Sequence, residues 1–113
     1  MIQAFTVLAD PVRQKIVEFL ASGEQPSGRI SNFISKEFSI SQPAVSQHLK
    51  VLRDTGMVKV QTNGTRRIYS IDGHPLRDID IWLDKFRRFW EPKLEALDRE
   101  ITRGKKMNQK VYH

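Results

Sequence analysis

Apolar side chains recur along this chain at helical spacing, then at strand spacing, then at helical spacing again. Ile2, Phe5 and Leu8 open a short first helix that Asp10-Pro11 interrupts, with Asp10 as an N-cap and Pro11 in the first turn of a second helix. Val12, Ile16, Phe19 and Leu20 form the apolar face of that helix, and Gly23 stops it, so it covers about residues 11–22. Gly23-Glu24-Gln25-Pro26 reads as a loop. Ser27 is placed to cap a third helix that buries Ile30, Phe33 and Ile34 and ends near Phe38. The tight connection Ser39-Ile40-Ser41 leads into a fourth helix, with Ser41 as N-cap and Pro43 in the first turn, running to about Asp54 and ended by Gly56.

Beyond Gly56 the period shortens. Residues 57–62 and 65–71 read as two strands around Asn63-Gly64, the strongest short-range hairpin signal. The register stays open: a two-residue turn pairs Val60 with Arg67, a longer one pairs it with Ile68 or Tyr69. From Pro75 the helical spacing returns through Ile79, Leu83, Phe86, Trp90, Leu94, Leu97 and Ile101, with Trp82 and Phe89 widening the apolar face and Pro92 bending the run. The expected fold is mainly α with a small β-hairpin, a winged helix-turn-helix of four helices, a hairpin and a fifth helix. Residues 1–103 are expected to form one domain and 104–113 a frayed, basic tail.

The third and fourth helices, joined by a few residues, have the form of a helix-turn-helix, whose second member must bury one side and leave the other free. At about 100° per residue, Val45, Leu49 and Leu52 share a narrow arc, and Pro43, Ser46, Gln47 and Lys50 point the other way. Gln and Ser hydrogen-bond base edges, Lys reaches guanine or phosphate, and Ala44 is small enough to touch a thymine methyl. His48 flanks the buried arc and is expected to pack or hydrogen-bond locally. The hairpin adds Arg66 and Arg67 beside its tip, where guanidinium groups can lie along phosphates or enter a minor groove.

Charge sharpens this picture. Of the 19 Lys and Arg that outweigh 13 Asp and Glu to give +6, five lie in residues 41–70 against a single carboxylate. Residues 99–113 are similarly basic, with five cations and one anion, and the segment between is acidic. An anionic partner is therefore expected, although a solvated basic face has the same composition. The chain has no cysteine, no apolar run long enough to span a bilayer, and no secretory leader at its start, so a cytoplasmic location without membrane contact is expected.

Three stretches, Ala9-Asp10-Pro11-Val12-Arg13-Gln14-Lys15-Ile16, Ser41-Gln42-Pro43-Ala44-Val45-Ser46-Gln47-His48-Leu49-Lys50-Val51-Leu52-Arg53 and Gly56-Met57-Val58, resemble the arsenic-repressor-like (ArsR) bacterial winged-helix family. The likeness extends over roughly residues 2–97 and is most specific in the fourth helix. It implies a homodimeric repressor of double-stranded operator DNA, reading an inverted repeat through Ser41, Gln42, Pro43, Ala44, Ser46, Gln47 and Lys50, with Arg66 and Arg67 on the wing. It also implies a dimer interface built from the first and last helices, here Ile2, Phe5, Leu8, Trp82, Phe86, Phe89, Trp90 and Leu97. The four aromatic residues offer more apolar surface than one helix needs against so small a domain.

Many members of that family release DNA on binding metal, through thiolates before the recognition helix or an Asp and His set on the last helix. This chain departs from both patterns: it has no cysteine, its last helix contains no histidine, and Asp72-Gly73-His74 is half a ligand set. No metal, no cofactor and no thiol redox sensing are expected, and the effector is left unassigned. Asp78, Asp80 and Asp84 follow the spacing of a solvated helix face, with no nucleophile and base pair, so no enzymatic role is expected. The competing reading is a winged-helix module for protein contacts without DNA binding.

Overall fold

The computed structural model describes residues 2–91. Leu94, Leu97, Ile101, the predicted bend at Pro92 and the basic tail lie outside the described residues. The elements run α1 (Gln3–Leu8), α2 (Pro11–Leu20), β1 (Gln25–Pro26), α3 (Ser27–Phe38), α4 (Gln42–Asp54), β2 (Val58–Asn63), β3 (Arg66–Ile71) and α5 (Gly73–Leu83), followed by a 3₁₀ segment, Asp84–Phe89. This is the expected mainly helical winged helix-turn-helix. The chain divides into two compact units, one through Asp80 and one from Ile81 on.

In the first unit the helix boundaries follow from local chemistry. Asp10 accepts from the backbone N–H of Val12 at 2.8 Å and of Arg13 at 3.1 Å, satisfying two donors that the first turn of α2 leaves open. Ser41 Oγ does the same for Ala44 N at 3.2 Å, ahead of Pro43 in the first turn of α4. Ser27 is not the cap expected of it. Pro26 holds that position without a side-chain bond, and Ser27 is the first helical residue.

The far end of α4 closes with two backbone bonds, Gly56 N to Arg53 O at 3.1 Å and Met57 N to Leu52 O at 2.9 Å. This is a Schellman pairing, which needs a left-handed residue at its turn, and Gly56 supplies it with φ +80°. Met57 and Leu52 both end fully buried, so the cap also seals the core.

The core itself is Ala4 and Val7 of α1, Ile16, Val17 and Leu20 of α2, Ile30 and Ile34 of α3, the α4 trio Val45, Leu49 and Leu52, and Met57, Val58 and Tyr69 from the sheet side. The faces predicted for α2, α3 and α4 supply most of this core, whereas α1 buries Ala4 and Val7 in place of the predicted Ile2, Phe5 and Leu8, of which Phe5 is exposed and the other two are partly buried.

The sheet differs from expectation twice. Gln25–Pro26, read as loop, is a third strand: the order is β1-β3-β2, all antiparallel, with Gln25 opposite Tyr69. Proline is tolerated there because the strand lies at the edge. Of the registers left open, the hairpin takes the one that pairs Val60 with Tyr69; it does so through a two-residue turn, with Asn63 opposite Arg66, so the turn residues are Gly64 and Thr65 rather than Asn63 and Gly64. Gly64 has φ +68° while Thr65 keeps a negative φ, the pattern of a type II′ turn with glycine first.

Within the described residues the last helix also departs from its spacing. It starts at Gly73, two residues before Pro75, and α-helical geometry ends at Leu83. Within the second unit the chain tightens to 3₁₀, where Trp82 and Phe86 pack with ring centroids 4.7 Å apart and Arg87 Nε donates to Asp84 at 2.7 Å.

Candidate nucleic-acid interface

The outward side of α4 borders an open groove of about 750 Å³ on the first unit. Gln42, Pro43, Ser46, Gln47 and Lys50 form one wall of it, all exposed, while Val45 and Leu52 are buried away from it and Leu49, also buried, touches its floor. The sequence arc thus becomes a physical division: three aliphatic side chains fix the helix, and the polar row has no role in packing.

The wing closes the groove from the other side, but with one arginine only. Successive strand residues face opposite ways, so Arg67 shares a face with Tyr69 and lines the groove, whereas Arg66 points to the other side of the hairpin. Ser41 and Ala44 stand outside the lining; the Ser41 hydroxyl is engaged as the N-cap of α4.

Lys50 already holds a partner. Its Nζ donates to Asp54 at 2.7 Å, and that hydrogen bond, ahead of the charges of Lys50 and Arg53, keeps the Asp54 carboxyl below its usual value. Both groups are exposed, so exchanging Asp54 for a phosphate costs little.

Besides the buried Leu49 and Tyr69, which also touch it, four residues that sequence reasoning did not assign to the groove line it: Ser27, Gly28 and Ser31 from the first turns of α3, and Arg53 from the last turn of α4. Arg53 follows Lys50 by three residues and so continues the same helix face, a signal present in the sequence. The α3 residues carried none, because only the tertiary crossing of α3 and α4 brings them alongside.

His48 sits where the arc placed it, half-buried and off the groove. Its Nδ1 lies 3.3 Å from Arg13 Nη1 and 3.9 Å from Asp10 Oδ1. Burial works against ionisation of Asp10, yet the amides of Arg13 and Val12, with the Arg13 guanidinium beside them, hold its carboxyl below the ordinary value.

Of the predicted interface residues, Ile2 and Leu8 pack partly against the core, and Phe5 is exposed. In the second unit Trp82, Phe89 and Trp90 are exposed and Phe86 is half-buried. Leu97 lies outside the described residues. Among the described residues no group of three or more His, Cys, Asp or Glu side chains is placed to hold a metal, and no helix is long and apolar enough to cross a membrane. Asp72 and His74 bond each other, Oδ1 to Nδ1 at 2.8 Å.

Known proteins share this architecture. The family model described as bacterial regulatory protein, arsR family, matches residues 10–60. The HTH-type transcriptional regulator Rv2034 of Mycobacterium tuberculosis is 40% identical over 84 residues, covering 74% of this chain and 75% of that protein. The transcriptional repressor SdpR of Bacillus subtilis is 30% identical over 86 residues, 76% of this chain and 91% of that one. A solved structure described as a possible transcriptional regulator for arsenical resistance superposes with a TM-score of 0.60 at 33% identity, covering 88% of this chain and 96% of the other. With its recognition helix packed inward on three aliphatic residues and outward on an open polar groove, this chain belongs to the arsR family of bacterial regulatory proteins and is a DNA-binding transcriptional regulator.

Proposed function

We propose that the chain is a homodimeric repressor whose two α4 helices enter the major groove at inverted half-sites of an operator, their centres about one or two helical turns apart. The single observation that carries this is the groove in which Gln42, Ser46, Gln47 and Lys50 of α4 meet Arg53 and the wing residue Arg67. Gln47 and Ser46 read base edges, Pro43 and Ala44 give apolar contact, and Ser41, Lys50, Arg53 and Arg67 hold phosphates, with Arg66 reaching the backbone from the other face of the wing. Repression is drawn from the relatives, SdpR being a transcriptional repressor by name. The protein works in the cytoplasm, without enzymatic activity, metal or cofactor.

Selection of bound sequences from a random duplex pool, followed by footprinting, tests the reading. An inverted repeat protected over two half-sites is the expected result; binding with no sequence preference refutes it. With that operator, Gln47→Ala or Ser46→Ala is expected to relax preference at one base pair per half-site, costing about 1–3 kcal/mol. An equal loss on random DNA would remove these residues from base reading.

Arg67→Ala is expected to weaken binding across all sequences and to lower the slope of log affinity against log salt by about one for each phosphate left unneutralised. Arg66→Ala acts the same way and more weakly, because its side chain leaves the groove. An unchanged salt slope in both variants would take the wing out of the interface.

A further inference from the structure

Two side chains of α2 reach back to the helix before it. Arg13 Nε donates to Val7 O and Gln14 Nε2 to Leu8 O, each at 2.9 Å, closing carbonyls at the end of α1. The same Arg13 guanidinium turns Nη1 toward α4, 3.3 Å from His48 Nδ1. A guanidinium only donates, so Nδ1 accepts, and an imidazole bonded in this way is neutral with its proton on Nε2. Asp10 stands on the other side, 3.9 Å from Arg13 Nη1 and 3.9 Å from His48 Nδ1.

This cluster joins three elements at one partly buried point. The carboxylate within ion-pair distance of His48 is Asp10, and on α4 itself Lys50 and Arg53 are both paired with Asp54.

We propose that Arg13 and His48 are positioning residues for operator reading, the guanidinium anchored on α1 setting the angle of α4 through neutral His48, with protonation of the imidazole releasing that setting. Once protonated, Nδ1 is a donor. It no longer accepts from Arg13, two cations face each other, and the ring turns toward Asp10. The added charge by itself strengthens attraction to any duplex, so the effect appears in discrimination rather than in affinity alone. The inference rests on the role proposed for α4, and its test separates the two.

Affinities for the selected operator and for a random duplex of equal length are measured on the full chain between about pH 8 and about pH 5.5, the span over which imidazoles titrate. In the wild type the operator-to-random ratio is expected to fall about tenfold, the equivalent of one hydrogen bond to a charged group. His48→Asn, which keeps an acceptor near the place of Nδ1 and does not titrate, is expected to hold a high ratio throughout. His48→Leu is expected to show a low ratio at every pH. Equal pH profiles for wild type and His48→Asn overturn the proposal, as does a folded His48→Leu chain with the wild-type ratio. If His48→Leu does not fold, the comparison with His48→Asn decides alone. Amide shifts of residues 42–54 in the free protein give a second readout that needs no DNA. They should follow the imidazole titration in the wild type and stay still in His48→Asn; if they do not follow it, the positioning role fails even where operator binding stands.

Discussion

A chain carrying Trp90→Glu is expected to sediment as a monomer and to lose operator affinity by about a hundredfold or more, the usual gain when two weak half-site contacts are joined. The motive is exposure: Ile81, Trp82, Phe89 and Trp90 are 54%, 37%, 67% and 48% accessible within ten residues of sequence. A monomeric domain seldom leaves so many large apolar side chains open unless another surface covers them, and a second copy is the cover that an inverted-repeat operator also requires. A carboxylate placed in that contact would be stripped of water without a partner. Phe89→Asp is the companion variant, because a side chain two-thirds exposed contributes little to the fold of a single chain. Sedimentation of both variants as folded dimers would end the assignment of this face.

The recognition helix was legible in the sequence because its signals agree at every level. Ser41 and Pro43 mark its start, Gly56 its end, and Val45, Leu49 and Leu52 repeat at the spacing of one buried arc. Where the structure departs from sequence reasoning, one of these supports is missing. A two-residue strand such as Gln25–Pro26 has no period to detect, and it exists only because β3 offers a free edge. Asn63-Gly64 attracted the turn by one residue, since glycine also satisfies the first position of a type II′ turn and the paired residues then shift together. The end of α5 was overrun because apolar spacing alone does not report a tightening to 3₁₀.

The site shows the same division. The α4 half of the groove could be read from helical geometry alone. That Arg67 and not Arg66 completes it depends on which strand face Tyr69 buries, and Ser27, Gly28 and Ser31 join it only through the packing of α3 beside α4. Residues on one element are visible in a one-dimensional pattern; residues brought together by a crossing are not.

The two faces of α4 should therefore fail in different ways, and Leu52→Ala is the variant that shows it. Leu52 is fully buried, and its carbonyl accepts from Met57 N at 2.9 Å, so its side chain lies under the cap that turns the chain from α4 into the wing. Truncation removes buried methyl groups at a point held by the Schellman pairing, where the backbone has little freedom to collapse into the space. The expected loss is about 2–5 kcal/mol, a large share of the roughly 5–15 kcal/mol that holds a domain folded. The thermal midpoint should fall by about ten degrees or more. At temperatures where the variant is still folded, the preferred operator sequence should be unchanged, because no groove-lining side chain has been altered. Gln47→Ala should give the opposite result, with a thermal midpoint close to wild type and altered base preference. A Leu52→Ala chain as stable as the wild type would mean that the inward arc does not anchor the helix, and the outward face would then lose the physical reason for its placement.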